Sequence, residues 1–171
     1  KLREGVYHAS NMMTSLGYYS FKVCKILEKI LGKKLLNWSY PQVRIDDEYS
    51  ASKFSTPAHE DGWFIDKNKK GYIFWFPINE KGASLYVQEK TNRQKSNHKL
   101  VKHTYWGKQI VGSVKFKKFN VKYGQALLFS QDIIHKSDED NSRITVQFRF
   151  EELNKIKLFR RSVVQVFTKK P

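Results

Sequence analysis

The run Arg143-Ile-Thr-Val-Gln-Phe-Arg-Phe150 decides how this chain folds. Ile144, Val146, Phe148 and Phe150 alternate strictly with Arg143, Thr145, Gln147 and Arg149. Side chains along a strand point to opposite faces with a period of two, so the run reads as a strand with one fully apolar face and one polar face. The apolar face belongs in a core. The polar face carries two guanidinium groups, and a ligand or water must compensate it. Arg143 suits a bidentate pair with a carboxylate, and Thr145, two residues on, adds a hydroxyl on the same face. A solvated Arg143 is the alternative. For Arg149 the expectation is an outward position, or a salt bridge with Glu151 or Glu152.

Outward from this run, the chain is mostly short segments rich in aromatic and β-branched residues. Strands are predicted at Gln42–Ile45, Lys53–His59, Gly71–Ile78, Ala83–Val87, Gln109–Phe116, Ala126–Ser130, Arg143–Glu151 and Phe159–Phe167. Turn residues at Asn68–Gly71, Asn79–Gly82 and Tyr123–Gly124 separate several of them, and Thr91–Gly107 reads as a long polar loop. Ahead of the strands, Phe21, Cys24, Leu27 and Leu31, with Val23, Ile26 and Ile30, recur at helical spacing from about Ser15 to Leu31, and Gly32 follows as a stop. The layout is mainly β, a sandwich or barrel with the helix packed on its outside. A chain of 171 residues is expected to form one domain, 1–171, with a helical preface at about 10–35 and a β-barrel body at about 40–168.

Composition narrows the class. With 40% hydrophobic and 15% aromatic residues the chain is too apolar for a disordered protein. No run approaches the roughly 18 apolar residues of a membrane span. Cys24 is the lone cysteine and no apolar leader opens the sequence, so a reducing, cytoplasmic setting is expected. The net charge of +16 raises nucleic acid as a partner, but 25 of the 32 basic residues are Lys, and recognition of bases and phosphates leans on the Arg fork. Nucleic acid is therefore the less favoured reading. From Lys90 to Gln131 there is no acid, while nine Lys and Arg93 supply +10. The acids gather at Asp46–Glu48, Glu60–Asp61 and Asp132–Asp140. Positive potential beside a local acidic centre suits a small anionic substrate approaching a cation-binding site.

The centre itself is nominated by His59-Glu60-Asp61 at the end of one predicted strand and by His135 on another, seventy-six residues later. On a strand, His59 and Asp61 at i and i+2 share a face. Two imidazoles and one carboxylate on one side of a metal leave the opposite positions vacant, which is the facial arrangement of non-haem Fe(II) oxygenases. On spacing alone, a hydrogen-bonded or surface histidine explains the pattern equally well. His98 and His103, in the basic loop, are expected to be solvated.

Six segments taken in order resemble a known family. They are Pro57-Ala-His-Glu-Asp-Gly-Trp63, Ile73-Phe-Trp-Phe-Pro-Ile78, Tyr123-Gly-Gln-Ala-Leu-Leu-Phe129, His135-Lys-Ser137, Asn141-Ser-Arg143 and Val146-Gln-Phe-Arg-Phe150. Together they resemble the phytanoyl-CoA dioxygenase family of Fe(II)- and 2-oxoglutarate-dependent oxygenases, across about Gln42 to Leu153. The resemblance implies a double-stranded β-helix of the jelly-roll, cupin-like kind. It further implies that His59, Asp61 and His135 hold Fe(II), and that Arg143 meets the distal carboxylate of 2-oxoglutarate with help from Thr145 or Ser137. Trp75 stands at a place that contacts the cosubstrate in the family, with plain core as the alternative. Arg44 and Trp63 are candidate substrate contacts. For Arg44 the alternative is a salt bridge within Asp46–Glu48, and for Trp63 it is a core or exposed aromatic. With dioxygen as second cosubstrate, the implied reaction hydroxylates a small metabolite and releases succinate and CO2. The retained carboxylate of Asp61 favours hydroxylation over halogenation. Two departures stand out: the chain is short for the family, and Tyr86-Val-Gln-Glu-Lys-Thr-Asn92 replaces the family's usual Pro-Gly-Ser-His. The contrasting functional class is a non-catalytic basic β-barrel that binds nucleic acid or an acidic partner.

Overall fold

A computed structural model describes residues 5–8, 13–37, 41–46, 55–64, 70–89, 98–103, 107–138, 142–153 and 165–168. In chain order the strands are β1 (Gly5–His8), β2 (Leu35–Asn37), β3 (Gln42–Asp46), β4 (Gly71–Pro77), β5 (Ala83–Gln88), β6 (His98–His103), β7 (Gly107–Gly112), β8 (Phe116–Val121), β9 (Gln125–Ser130), β10 (His135–Ser137), β11 (Arg143–Glu152) and β12 (Gln165–Thr168). One helix, α1 (Met13–Leu31), precedes most of them, and Asp61–Phe64 forms a short 3-10 turn. Every described strand pairing is antiparallel.

The alternating run forms the first eight residues of β11, the longest described strand, inside a seven-stranded sheet ordered β1-β3-β11-β4-β9-β12 with β2 also paired to β11. On one side β11 pairs with β3 over its first half and β2 over its last three residues; on the other it pairs with β4. Strand alternation then sorts the sheet. Val146, Phe148 and Phe150 join Val43 and Leu128 in a buried layer with Cys24, Leu27 and Leu35. Phe74, Phe76, Ile144, Val23 and Leu31 pack around it, with the Phe74 and Phe148 rings stacked at 6.4 Å and 9°. This layer is where α1 covers the sheet. Only one side of the helix is used: Phe21, Ile26 and Ile30, which share the helical spacing, remain exposed because the sheet covers a single face. Gly32 takes φ 62° and Lys33 N–H reaches the Glu28 carbonyl at 3.2 Å, so the expected stop is a left-handed C-terminal cap.

The opposite face of the sheet carries Ile73, Trp75, Leu127 and Phe129 beside the polar residues of β11. A three-stranded sheet, β10-β5-β8, closes over it through Ala83, Leu85, Val87 and Val121. Two antiparallel sheets therefore face each other across an apolar core, and α1 lies on the outer face of the larger one. The third sheet is the hairpin β6–β7.

Several sequence boundaries are corrected. No strand covers 55–58; the described part of the predicted Lys53–His59 segment is extended chain that meets its neighbour only through a bridge at His59. The predicted strand Gln109–Phe116 is broken at 113–115, because β7 pairs with β6 whereas β8 pairs with β5. The end of the long polar loop is strand β6, whose lysines hide its pairing from a hydropathy reading. Of the predicted Phe159–Phe167 strand, β12 begins at Gln165 and 159–164 lie outside the described residues. Among the described residues no helix is long and apolar enough to cross a membrane.

The turn from β4 to β5 constrains the chain most sharply. Gly82 sits at φ 74°, donates to the Asn79 carbonyl at 3.0 Å, and a Cβ there would lie 2.4 Å from the Val121 carbonyl oxygen. Gly82→Ala is expected to lower unfolding stability by about 1–3 kcal/mol in urea titration. A change within a few tenths would show that the turn relaxes freely.

Candidate metal centre

His59 and His135 face each other because the backbone makes them do so. His59 N–H donates to the His135 carbonyl and His135 N–H to the His59 carbonyl, both at 3.0 Å, the mutual pair of an antiparallel bridge. The segment is fastened at further points: Ser137 N–H to the Thr56 carbonyl, Thr56 N–H to the Ser137 hydroxyl, and Gly62 N–H to the Gln131 carbonyl, at 3.0–3.1 Å. β10 in turn is carried by β5, with His135 opposite Val87. The two imidazole centroids lie 4.2 Å apart, and Phe129 meets the His135 ring edge-on at 4.9 Å. Asp61 arrives differently from the strand alternation expected of it. The chain turns into the 3-10 segment at Asp61 itself, and this turn, together with the bridge, brings its carboxylate to the histidines.

Both rings are oriented for ligation. His59 Nδ1–H donates to the Pro57 carbonyl at 2.8 Å and His135 Nδ1–H to the Ile133 carbonyl at 3.0 Å. A carbonyl accepts only from a protonated nitrogen, so each neutral ring presents its lone pair at Nε2. The Nε2 atoms lie 3.7 Å and 4.0 Å from the two oxygens of Asp61. One ligand atom from each of His59, Asp61 and His135 falls within 4.8 Å of the others. Neutral imidazoles locked by backbone acceptors, with a carboxylate between them, are the donor set and outer shell that a divalent transition metal takes. The residues present fit such an ion.

The polar face of β11 holds the carboxylate of this cluster. Gln147 Nε2 donates to one Asp61 oxygen at 2.7 Å and Arg149 Nη2 to the other at 3.0 Å. Arg149 is thus not outward, and it meets Asp61. Its side chain is 12% exposed and turned inward, because residues of odd number on β11 all share the face opposite the helix layer. Nothing local in the sequence signals this pairing across 88 positions; the polar alternation of β11 was the one hint. Asp61 is 1% exposed, and burial alone would push its carboxyl up. The positive charge of Arg149 beside it, joined by the histidines when they are protonated, outweighs burial and holds it well below the ordinary carboxylate range.

Further along the same face lies a second buried charge cluster. Arg143, directly opposite Asp46 across β3 and β11, donates from Nε to Asp46 at 2.7 Å and from Nη2 to the Ser137 hydroxyl at 2.5 Å. Arg44 Nε reaches both Asp46 oxygens at 2.9 and 2.7 Å. Burial, then Arg143, push the Arg44 guanidinium down from its ordinary value, against the pull of Asp46. Two guanidinium groups share one carboxylate here. Ser137, which Arg143 meets, stands two residues from His135 on the same face of β10, about 7 Å along the strand. Thr145 is buried between Arg143 and Gln147 on β11. Trp75 is 5% exposed within the apolar core. Trp63 belongs to the 3-10 turn, and its side chain lies outside the described residues.

Burial, followed by the neighbouring charge of His59, lowers His135 from 6.5 to about 4. A depressed histidine pKa means that the unfolded chain takes up a proton first. The metal-free protein is therefore expected to lose stability as pH falls from about 6.5 to about 4, a loss that is absent above that window. His135→Asn should flatten the stability profile within the window, as followed by thermal unfolding; an unchanged slope would remove His135 as its source. Compared with known proteins, the chain matches no family model and no curated sequence.

Proposed function

We propose that this protein is an Fe(II)- and 2-oxoglutarate-dependent dioxygenase of the jelly-roll kind, hydroxylating a small, anionic metabolite. The observation that carries the reading is the convergence of two Nδ1-anchored imidazoles and one carboxylate within 4.8 Å, on side chains from distant parts of a two-sheet β fold. Three protein ligands on one side leave coordination positions for a chelating cosubstrate and for dioxygen. With iron bound, the centre supplies oxidising chemistry in which 2-oxoglutarate and dioxygen yield succinate and CO2, and a substrate C–H bond becomes C–OH.

The chain's own residues hold and orient the participants. His59, Asp61 and His135 grip the ion, while Gln147 fixes one Asp61 oxygen. Arg143 is the cation for the far carboxylate of 2-oxoglutarate, with the Ser137 and Thr145 hydroxyls beside it. Asp46 takes its Nε, and its Nη groups meet the Ser137 hydroxyl and the Ser84 carbonyl. Two residues of strand separate Ser137 from His135, a span that suits a five-carbon dicarboxylate. The apolar wall of Trp75, Leu127 and Phe129 limits water on that side. The hairpin β6–β7 borders the site, with Ile110 N–H bonded to the Ala58 carbonyl at 2.6 Å. It brings exposed Lys99, Lys102 and Lys108 near the His59 segment, which favours an anionic substrate.

His59→Ala and Asp61→Ala are each expected to abolish the slow conversion of 2-oxoglutarate to succinate that such a centre performs without substrate. Full turnover in either variant would show that the ligands are misassigned. Arg143→Ala should raise the 2-oxoglutarate concentration needed for half-maximal turnover at least about tenfold while Fe(II) affinity stays within about twofold. It should also cost about 3 kcal/mol of stability, since Asp46 loses a buried partner. Equal loss of both affinities would assign Arg143 to the fold alone.

A further inference from the structure

The helix α1 keeps a face that the sheet does not cover. Five of the eleven large apolar or aromatic side chains that stay exposed among the described residues lie on it: Tyr18, Tyr19, Phe21, Ile26 and Ile30, each 47–58% exposed. Single exposed apolar residues are ordinary, but a row of them along one helix marks a contact surface. At helical spacing Tyr19, Ile26 and Ile30 form one ridge, and Tyr18, Lys22, Lys25 and Lys29 form the stripe beside it. Phe21 stands on the other side of that stripe. The lysines lie against the rings, with Lys22 Nζ 4.5 Å from the Tyr18 ring centre and Lys25 Nζ 5.4 Å from that of Phe21. Glu28, the one acid of the helix, is turned aside: its side chain is 10% exposed and accepts from Leu35 N–H and from Lys25 Nζ, both at 3.0 Å. Exposed Lys22 and Lys29 therefore give the face a net positive charge.

We infer that this face lays α1 flat on the surface of an anionic lipid bilayer. Tyrosine rings and branched apolar side chains reach the boundary between headgroups and acyl chains there, while the lysines beside them meet anionic headgroups. Other occupants fit less well. A second copy of the chain would set two lysine stripes against each other across a two-fold axis, where like charges repel. A protein groove would bury lysines at its centre, where such interfaces are depleted of them. The helix lies on the bilayer instead of spanning it, since no described helix is long and apolar enough to cross a membrane. The net charge of +16 draws the whole molecule toward the same surface. Because α1 packs on one face of the larger sheet and Asp61 is held by the other, docking leaves the metal centre unobstructed.

The test is co-sedimentation of the full chain with vesicles of phosphatidylcholine containing about 30% phosphatidylserine, compared with phosphatidylcholine alone. Wild type is expected to bind the anionic vesicles at least about tenfold more tightly than the neutral ones. Lys22→Gln combined with Lys29→Gln should weaken that binding about tenfold, and so should Ile26→Ser combined with Ile30→Ser. All four positions are exposed, and thermal unfolding checks that each double variant folds. A charge-matched control, Lys117→Gln combined with Lys122→Gln on and just after β8 of the smaller sheet, should cost less than about threefold. Absence of wild-type binding to the anionic vesicles would overturn the inference, as would undiminished binding by either α1 variant. A loss in the control equal to that in the α1 lysine variant would reduce the effect to net charge and overturn it too. Sedimentation velocity without vesicles completes the test: self-association that Ile26→Ser combined with Ile30→Ser abolishes would make a second copy the occupant and contradict docking on lipid.

Discussion

Two reciprocal hydrogen bonds between the backbones of His59 and His135 govern the rest of the site. They join a segment without regular strand structure to β10, and through β10 to the smaller sheet. Antiparallel partners that exchange both bonds place their side chains on the same face, so the two imidazoles have no choice but to be neighbours. Their Nδ1 contacts to carbonyls two residues earlier on each segment are a local consequence of the same geometry, and they direct both Nε2 atoms toward Asp61. Register matters because a slip of one residue between these segments would turn one ring away and leave no centre.

The larger sheet supplies what the bridge does not. Its helix-facing side is an ordinary apolar layer, while its inner side is apolar along β4 and β9 and carries a row of paired charges along β11. Burying a charge is tolerable only where it is paired and hydrogen-bonded. The inner row of β11 meets that condition twice, with Arg149 and Gln147 on Asp61 and with Arg143 on Asp46. In the second cluster Arg44 also leans on Asp46.

Much of this was legible in the residues themselves. The alternation of 143–150 announces a strand with unequal faces, and the helical spacing that ends in Gly32 marks α1 within two residues of its observed start. The turn at Asn79–Gly82 follows from a glycine that the backbone needs in the left-handed region. His59, Asp61 and His135 could be nominated from type and spacing, but the means of their convergence could not. A 3-10 turn starting at Asp61 and a bridge spanning seventy-six positions have no local hydropathy signature. Strand register is equally silent: only the pairing of β3 with β11 reveals that Asp46 stands opposite Arg143, and so that Arg143 carries an internal carboxylate. The contact of Arg149 with Asp61 is hidden for the same reason, since that acid comes from a turn far along the chain.

The central claim is that three side chains share one ion, and anomalous diffraction at the iron edge tests it most directly, from crystals grown anaerobically with Fe(II). A single strong peak within bonding distance of His59 Nε2, Asp61 and His135 Nε2 is the predicted result. Iron located elsewhere on the surface, with these three side chains left as they stand without it, would contradict the account.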